Sequence, residues 1–158
     1  RIRSLPRSEC QFGYRKSALQ GTGCVVVEAE LECVSGERRQ IRRAMLADLA
    51  ERRRKFPRKQ PNCGSVFLSS EQMHATVGPP GKIIEAAGLK GLRIGQAEVS
   101  HQHANFIVNL GGASSSDVLG LIARIRGTVR DAIDFDLCCE VRYVAPTGNI
   151  LPAHLIAG

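Results

Sequence analysis

The chain has 158 residues, of which 43% are hydrophobic and 23% are charged, and its formal net charge is +7. This composition is typical of a soluble globular protein, and no apolar run approaches the roughly 20 residues that a membrane span requires. The charge is uneven, because residues 1–60 hold 15 Lys and Arg against 7 Asp and Glu, while residues 61–158 hold 7 against 8. No apolar stretch follows the basic opening RIRSLPRSEC, so a secretory signal is not expected.

The first third of the chain predicts a strand and then a helix. Residues 23–34, GCVVVEAELECV, pass from an apolar run into alternating apolar and acidic residues, which predicts a strand with one wet face. From Glu37 to Lys55 the apolar residues fall at helical spacing among many arginines, which predicts an amphipathic, basic helix. Phe56-Pro57 ends that helix, and residues 57–62 are typical of a linker. The apolar positions are Ile41, Met45, Leu46 and Leu49.

The remaining elements alternate between helix and strand. Residues 81–91 predict a short helix closed by Gly88, and two strands are expected near 97–100 and 104–110. Ser114 and Asp117 have the spacing of a capping box, which predicts the start of a second helix. The last strand is expected over 138–145. The second helix has one apolar face, formed by Val118, Leu121, Ile122, Ile125, Val129 and Ile133.

The order α-β-β-α-β has too few elements for a doubly wound sheet. We therefore expect an α+β fold in which helices pack on one face of a small mixed sheet. No internal repeat is present in the sequence.

Cysteine and histidine spacing predicts no metal site. The six cysteines lack a paired C-x-x-C arrangement, and no Asp, Glu or Cys is placed to complete a metal site with His101 and His103. We expect reduced, mostly buried thiols in a cytoplasmic protein. Cys138 and Cys139 are adjacent and should point to opposite faces of their strand.

The basic helix permits a function in which ERRQIRR and ERRRKFPRK bind nucleic acid or another anionic partner. Only Phe56 interrupts the basic run, so bases have little to stack on, and nucleic-acid binding is not expected. A solvated helix face, or attraction of an anionic nucleotide substrate, are the other interpretations.

Three short stretches place a Tyr-Arg pair, a Gly-Ser pair and a glutamate far apart in sequence: QFGYRKS at 11–17, NCGSVF at 62–67 and CEVRYV at 139–144. Together with GPPGKIIEAAGLKGLRIG at 78–95 and AEVSHQHANFIVNLG at 97–111, they resemble the UDP-N-acetylenolpyruvoylglucosamine reductase (MurB) family. The resemblance covers nearly the whole chain in the family's order. It is to the shorter branch, because residues 17–61 leave no room for a tyrosine-bearing substrate lid.

The resemblance implies a flavoenzyme of peptidoglycan biosynthesis. NADPH is the hydride donor, FAD the cofactor, and UDP-N-acetylglucosamine enolpyruvate the substrate, which becomes UDP-N-acetylmuramate. The family's Gly-rich pyrophosphate loop has no counterpart here, so the chain looks like the C-terminal half. We expect the end of the flavin domain at 1–36, a basic helix and linker at 37–60, and a substrate domain at 61–158. The missing flavin-binding half would lie on another segment or chain.

The family's catalytic positions fall on Ser65, Arg15 and Glu140. By resemblance, Ser65 protonates the carbon beside the substrate carboxylate, and Arg15 and Glu140 stabilise the charge of the enolate-like intermediate. Arg15 suits this because guanidinium is always cationic and binds carboxylates as a fork. Glu140, if partly buried, would be protonated and donate a hydrogen bond. Without the resemblance, Ser65 would be interpreted as a structural serine in a turn, and Arg15 and Glu140 as solvated surface charges.

Four further residues are candidates for binding. Tyr14 is a candidate for stacking on substrate or flavin, and equally for an edge aromatic. His103 matches a family position near the substrate, although a surface or capping histidine explains it as well. Arg142 shares a strand face with Glu140 and by resemblance contacts the flavin. Gly64 lets the backbone before Ser65 approach the cofactor.

Two departures from the family, Lys16 and Leu68-Ser69-Ser70, leave the substrate contacts there open. The main alternative function is a binding module that holds a UDP-sugar without redox chemistry.

Overall fold

The computed structural model describes residues 2–13 and 16–157. Two compact units are present, Arg1–Arg38 and Arg39–Gly158. The described helices are α1 (Arg7–Cys10), α2 (Arg38–Lys55), α3 (Glu71–Thr76), α4 (Pro80–Ala86) and α5 (Ser115–Ile133), followed by a short 3-10 turn, η1 (Ala153–Leu155). The strands are β1 (Arg93–Ile94), β2 (Ala97–Val99), β3 (Ile107–Asn109), β4 (Arg142–Val144) and β5 (Ile150–Pro152).

The strand predicted over residues 23–34 is wrong for this chain. Residues 23–37 have no regular secondary structure, and Val25, Val27 and Leu31 are more than three-quarters exposed, at 85%, 80% and 81%. Alternation makes a segment able to form a strand, but a strand is stable only when a neighbour satisfies its backbone groups and covers its apolar face. Among the described residues, no segment pairs with it.

Helix α2 confirms the predicted basic helix to within one residue. Its predicted apolar positions Ile41, Met45, Leu46 and Leu49 are all exposed. No residue of α2 is buried. The helix is therefore amphipathic in sequence without having its apolar face covered in this structure.

The core of the second unit lies between α5 and the strands. The capping box at Ser114 is present, since its hydroxyl accepts from Asp117 N–H and the Asp117 carboxylate accepts from Ser114 N–H. The apolar face of α5 is buried as predicted over its middle, while Val118 at its start is half-buried and Ile133 at its end is exposed. The fully buried residues of this face are Leu121, Ile122, Ile125 and Val129.

Two small antiparallel sheets are joined by an irregular segment. Strands β1, β2 and β3 form one sheet, and β4 pairs with β5. Residues 61–68 run between them: Asn62 bridges Val108 in β3, and Phe67 bridges Cys139 just before β4. The α+β class is confirmed, and the described pairings are antiparallel, which refines the expectation of a mixed sheet.

Helix α4 ends as predicted, with Gly88 at φ +70° just beyond it. Helix α3 and strand β5 were not predicted, because both are too short to give a periodic pattern. The signal for α3 was Ser70, whose hydroxyl accepts from Met73 N–H at the helix N-terminus.

The six cysteines are free, as predicted, but only Cys10 and Cys139 are buried. The expectation of mostly buried thiols is therefore wrong. Cys24 and Cys33 are exposed because they lie in residues 23–34, which have no regular secondary structure. Cys138 is exposed beside buried Cys139, as the alternation of a strand requires.

Candidate active site

Ser65 lies where the chain leaves a turn and enters the buried ladder. The turn is set by Asn62, whose Oδ1 accepts from Gly64 N–H at 3.0 Å. Gly64 has φ +86°, a conformation that side chains disfavour, and a Cβ at this position would meet no atom within 4 Å. The backbone before Ser65 is thus open on one side, and the cofactor role of Gly64 stays a prediction.

The segments that carry Ser65 and Glu140 are hydrogen-bonded to each other. Val66 O accepts from Glu140 N–H at 2.8 Å and from Val141 N–H at 3.3 Å, while Leu68 N–H donates to Cys138 O at 2.9 Å. Two consecutive N–H groups on one carbonyl are the pattern of a β-bulge, in which two residues oppose one. Bulges redirect side chains, and this one occurs at Glu140.

The bulge also affects the prediction for Arg142. Arg142 is exposed and pairs with Pro152, and Glu140 is exposed as well. The expectation that they share a strand face rested on strict alternation, which an extra residue interrupts. Exposure nevertheless alternates from buried Cys139 through exposed Glu140 and half-buried Val141 to exposed Arg142, and the shared face stays a prediction.

The Ser65 side chain is half-buried, and no residue in the described part of the chain hydrogen-bonds its hydroxyl. A hydroxyl in this state keeps its proton available for a bound molecule. The Glu140 side chain is exposed, so the partial burial on which its predicted hydrogen-bond donation depended is not present among the described residues.

Cys139, next to Glu140, is not expected to act as a nucleophile. Burial raises the pKa of its thiol to about 11, although the nearby Arg126 opposes the shift. The thiolate is the reactive form of cysteine, so Cys139 is inert near neutral pH.

Arg15 and Tyr14 lie outside the described residues. Their roles stay predictions, and the structure brings together Ser65, Gly64 and Glu140 without them.

His103 sits in an aromatic cluster. Its ring stacks on Phe56 at 5.3 Å between centroids and meets Phe106 edge-on at 5.0 Å. His103 Nδ1 accepts from Asn105 N–H at 3.2 Å, and a Cβ on Gly81 would lie 2.9 Å from the ring. These contacts give His103 a packing role; its predicted contact with substrate stays a prediction.

His103 gives a pH prediction. Burial, together with the positive charges of Lys55 and Lys90, lowers its pKa from the ordinary value of about 6.5. Because the folded state holds this proton less tightly than the unfolded state, its contribution to stability is complete above about pH 6.5 and is lost as pH falls through the folded pKa. We expect His103→Phe, which keeps a ring in the cluster, to flatten the loss of stability that sets in as pH falls below about 6.5.

Urea unfolding at several pH values measures this slope. The matched control is His101→Phe, since His101 is exposed and lies outside the aromatic cluster. An unchanged acid slope in His103→Phe would mean that other groups cause the acid sensitivity.

Two residues at this site were not singled out from the sequence. The Asn105 side chain binds the backbone of Phe67, and Arg126 of α5 binds the segment before Glu140. The available signal for Arg126 was a charged residue one turn after Ile122 on the apolar side of a helix. Among the described residues, no cluster of three or more metal-ligating side chains occurs, and no helix has the length and apolarity of a membrane span.

Comparison with known proteins relates this geometry to one family. Residues 56–144, which include Ser65, Glu140, Gly64, His103 and Arg142, match the family described as UDP-N-acetylenolpyruvoylglucosamine reductase, C-terminal domain. UDP-N-acetylenolpyruvoylglucosamine reductase 1 of Corynebacterium glutamicum is 48% identical over 99% of this chain and 47% of that protein. The reductase of Heliobacterium modesticaldum is 42% identical over 94% of this chain and 46% of that protein.

A solved structure gives the same result. The crystal structure of UDP-N-acetylenolpyruvylglucosamine reductase (MurB) from Thermus caldophilus matches with a TM-score of 0.60 and 35% identity, over 82% of this chain and 44% of that one. The chain spans about half the length of the curated relatives it matches. It belongs to the UDP-N-acetylenolpyruvoylglucosamine reductase (MurB) family, of which it represents the C-terminal part.

Proposed function

We propose that this chain supplies the substrate-protonating part of an NADPH-dependent reductase that converts UDP-N-acetylglucosamine enolpyruvate to UDP-N-acetylmuramate. The observation that carries the proposal is the half-buried Ser65 hydroxyl, which no described residue hydrogen-bonds. The segment that bears Ser65 is hydrogen-bonded to the segment that bears Glu140. Both residues lie in the part matched by the family. The reaction would belong to cytoplasmic peptidoglycan biosynthesis.

The proposed role of Ser65 is proton donation to carbon. When hydride reaches one carbon of the enolpyruvyl double bond, the electron pair moves to the carbon that bears the carboxylate and spreads into it as an enolate. The Ser65 O–H bond then breaks as a new C–H bond forms, and solvent returns a proton to the alkoxide. A hydroxyl is a weak acid, so this step needs cations or hydrogen-bond donors at the enolate oxygens. Arg15 and Glu140 are the proposed groups.

The fit to FAD is partial on this chain. The open backbone at Gly64 and the exposed Arg142 suit contact with one edge of a flat cofactor. The sequence has no Gly-rich loop to bind a pyrophosphate, so the flavin-binding half of the enzyme would hold most of the cofactor. FAD, when bound, supplies the hydride that originates from NADPH.

The proposed organisation follows from this division. Residues 1–36 would complete the flavin-binding part, and residues 61–158 would form the substrate domain. Residues 37–60 would connect these two parts. Tyr14 and His103 are proposed to line the substrate side.

A full-length reductase carrying this chain tests the proposal. We expect NADPH oxidation that depends on UDP-N-acetylglucosamine enolpyruvate and a product heavier than the substrate by two hydrogen atoms. We expect the present chain alone to lack a flavin absorbance band after purification, because it has no pyrophosphate loop. UDP-sugar binding without NADPH oxidation by the flavin-loaded full-length protein would instead identify a binding module.

A further inference from the structure

The Asn105 side chain takes the place of a strand in the ladder that holds Ser65. Asn105 is buried, with 4% of its surface exposed. Its Oδ1 accepts from Phe67 N–H at 2.9 Å, and its Nδ2 donates to Phe67 O at 3.0 Å. The orientation of the amide is fixed by its partners, since a backbone N–H can only donate and a carbonyl can only accept. The side-chain amide thus pairs with Phe67 as a peptide group of a neighbouring strand would.

The Asn105 side chain takes this role because the backbone of the neighbouring segment turns away from Phe67. Strand β3 and its flank pair with residues 61 and 62, through Asn109 N–H to Pro61 O and the bridge between Asn62 and Val108. Nearer Ser65 the backbone turns at Ala104 and Asn105, and only Asn105 O reaches the ladder, where it accepts from Val66 N–H at 2.9 Å. Without the Asn105 side chain, both buried backbone groups of Phe67 would lose this pairing.

The contacts of Asn105 converge on the two proposed reactive residues. Ser65 stands between the exposed turn at Asn62 and the buried pair Val66 and Phe67, which are each 1% exposed. Asn105 holds that buried pair on one side. On the other side, Val66 O accepts from Glu140 and Val141 N–H. A shift of Val66 would therefore displace Ser65 and Glu140 relative to each other.

We infer that Asn105 is a positioning residue for proton transfer, holding the Ser65 hydroxyl at the distance that the reacting carbon requires. This inference rests on the proposed function. A displacement of about 1 Å at a reacting group lowers rates by on the order of 10²-fold. Asn105 touches neither substrate nor cofactor in this role, since it acts through the backbone of Val66 and Phe67.

The experiment uses a full-length reductase with FAD bound and follows the two half-reactions by stopped-flow absorbance. Asn105→Asp keeps the shape and the acceptor for Phe67 N–H, but it places an oxygen against Phe67 O. We expect flavin reoxidation by the enolpyruvyl substrate to slow by about 10²-fold, with flavin reduction by NADPH nearly unchanged. If this variant does not fold, Asn105→Gln, which keeps both polar groups on a longer side chain, should show the same selective loss. Wild-type reoxidation in the folded variant overturns the inference.

The matched control is Asn109→Ala. Asn109 lies in the same motif, and its Oδ1 also accepts two backbone N–H groups, those of Gly111 and Ala113, at 2.8 and 3.0 Å. These contacts hold the turn before α5 rather than the Ser65 segment. We expect Asn109→Ala to lower stability while keeping reoxidation within about twofold of wild type, as for a loss confined to local structure. A selective reoxidation defect equal to that of Asn105→Asp would overturn the positioning role.

A double-variant cycle separates positioning from a general structural effect. If Asn105 acts through Ser65, Asn105→Asp should cause no further slowing in the Ser65→Ala background. Additive losses overturn the inference while leaving the proton-donor role of Ser65 intact. Wild-type reoxidation in Ser65→Ala alone would instead reject the proposed donor, and the two failures are thereby distinguished.

Discussion

Replacing Ser65 with alanine in a full-length reductase is expected to slow flavin reoxidation by the enolpyruvyl substrate by several orders of magnitude. General acids typically contribute on the order of 10²- to 10⁴-fold, and the larger value applies where no water replaces the donor. Reduction of the flavin by NADPH does not involve this proton and should be nearly unchanged. Stopped-flow absorbance of the flavin measures both steps in one preparation.

Two further variants make the Ser65 result specific. Ser65→Cys keeps a group with a proton to donate and a lower pKa, near 8.5 for a free thiol, and should recover part of the rate. Ser69→Ala is the matched control, since the Ser69 hydroxyl is on the same segment but hydrogen-bonds His74 Nε2 at 2.6 Å. Equal slowing of both half-reactions in Ser65→Ala, or slowing of neither, would assign Ser65 to the turn alone and limit the family likeness to the fold.

Local patterns predicted the elements whose stability is decided within one segment. The two residues of the capping box are three positions apart, and successive residues of the apolar face of α5 are at most four apart. The start of the helix and its buried side could therefore be predicted from the sequence. Gly88, just beyond α4, is also a local signal, since it marks the end of that helix. Ser65 and Glu140 were found differently, from motif resemblance, because neither has a local pattern that distinguishes it from a surface residue.

Features that depend on distant partners were missed. The segment 23–34 alternates as a strand should, but pairing depends on another segment, and none of the described residues provides one. The bulge at Glu140 exists only because Val66 O accepts two N–H groups from a segment more than 70 residues away. Asn105 binds Phe67 across 38 residues. Sequence periodicity contains no information on such contacts, so the orientation of the site residues could not be predicted.

Arg126 joins three segments that sequence distance keeps apart. Its side chain is 14% exposed and extends from α5. Arg126 Nε donates to Leu137 O at 2.9 Å, Nη1 donates to His154 O at 3.3 Å, and Nη2 donates to both carboxylate oxygens of Asp136 at 3.0 and 3.1 Å. His154 Nδ1 in turn accepts from Cys139 N–H at 2.9 Å. One guanidinium thus fixes both the approach to Glu140 and the C-terminal turn η1.

We expect Arg126→Leu to destabilise the chain by about 3 kcal/mol. Asp136 is 58% exposed, so its ion pair is screened by solvent and contributes little. Most of the loss comes from the carbonyl of Leu137, which is 1% exposed, because an unpaired buried acceptor costs about 1–3 kcal/mol. The carbonyl of His154, a half-buried residue, adds a smaller part. Urea unfolding of the chain measures the change in the free energy of unfolding.

Arg124 provides the control for Arg126, since it is an exposed arginine on the same helix. Arg124→Leu should change stability by less than about 0.5 kcal/mol, as is usual for a surface substitution. Arg126→Lys keeps the positive charge but has no planar fork, so it cannot reach three acceptors at once and should fall between the other two variants. If Arg126→Lys matches wild type, charge alone accounts for the role of Arg126. If Arg126→Leu matches Arg124→Leu, the carbonyls of Leu137 and His154 find other donors, and the segment before Glu140 is held by its pairing with Val66 and Leu68 instead.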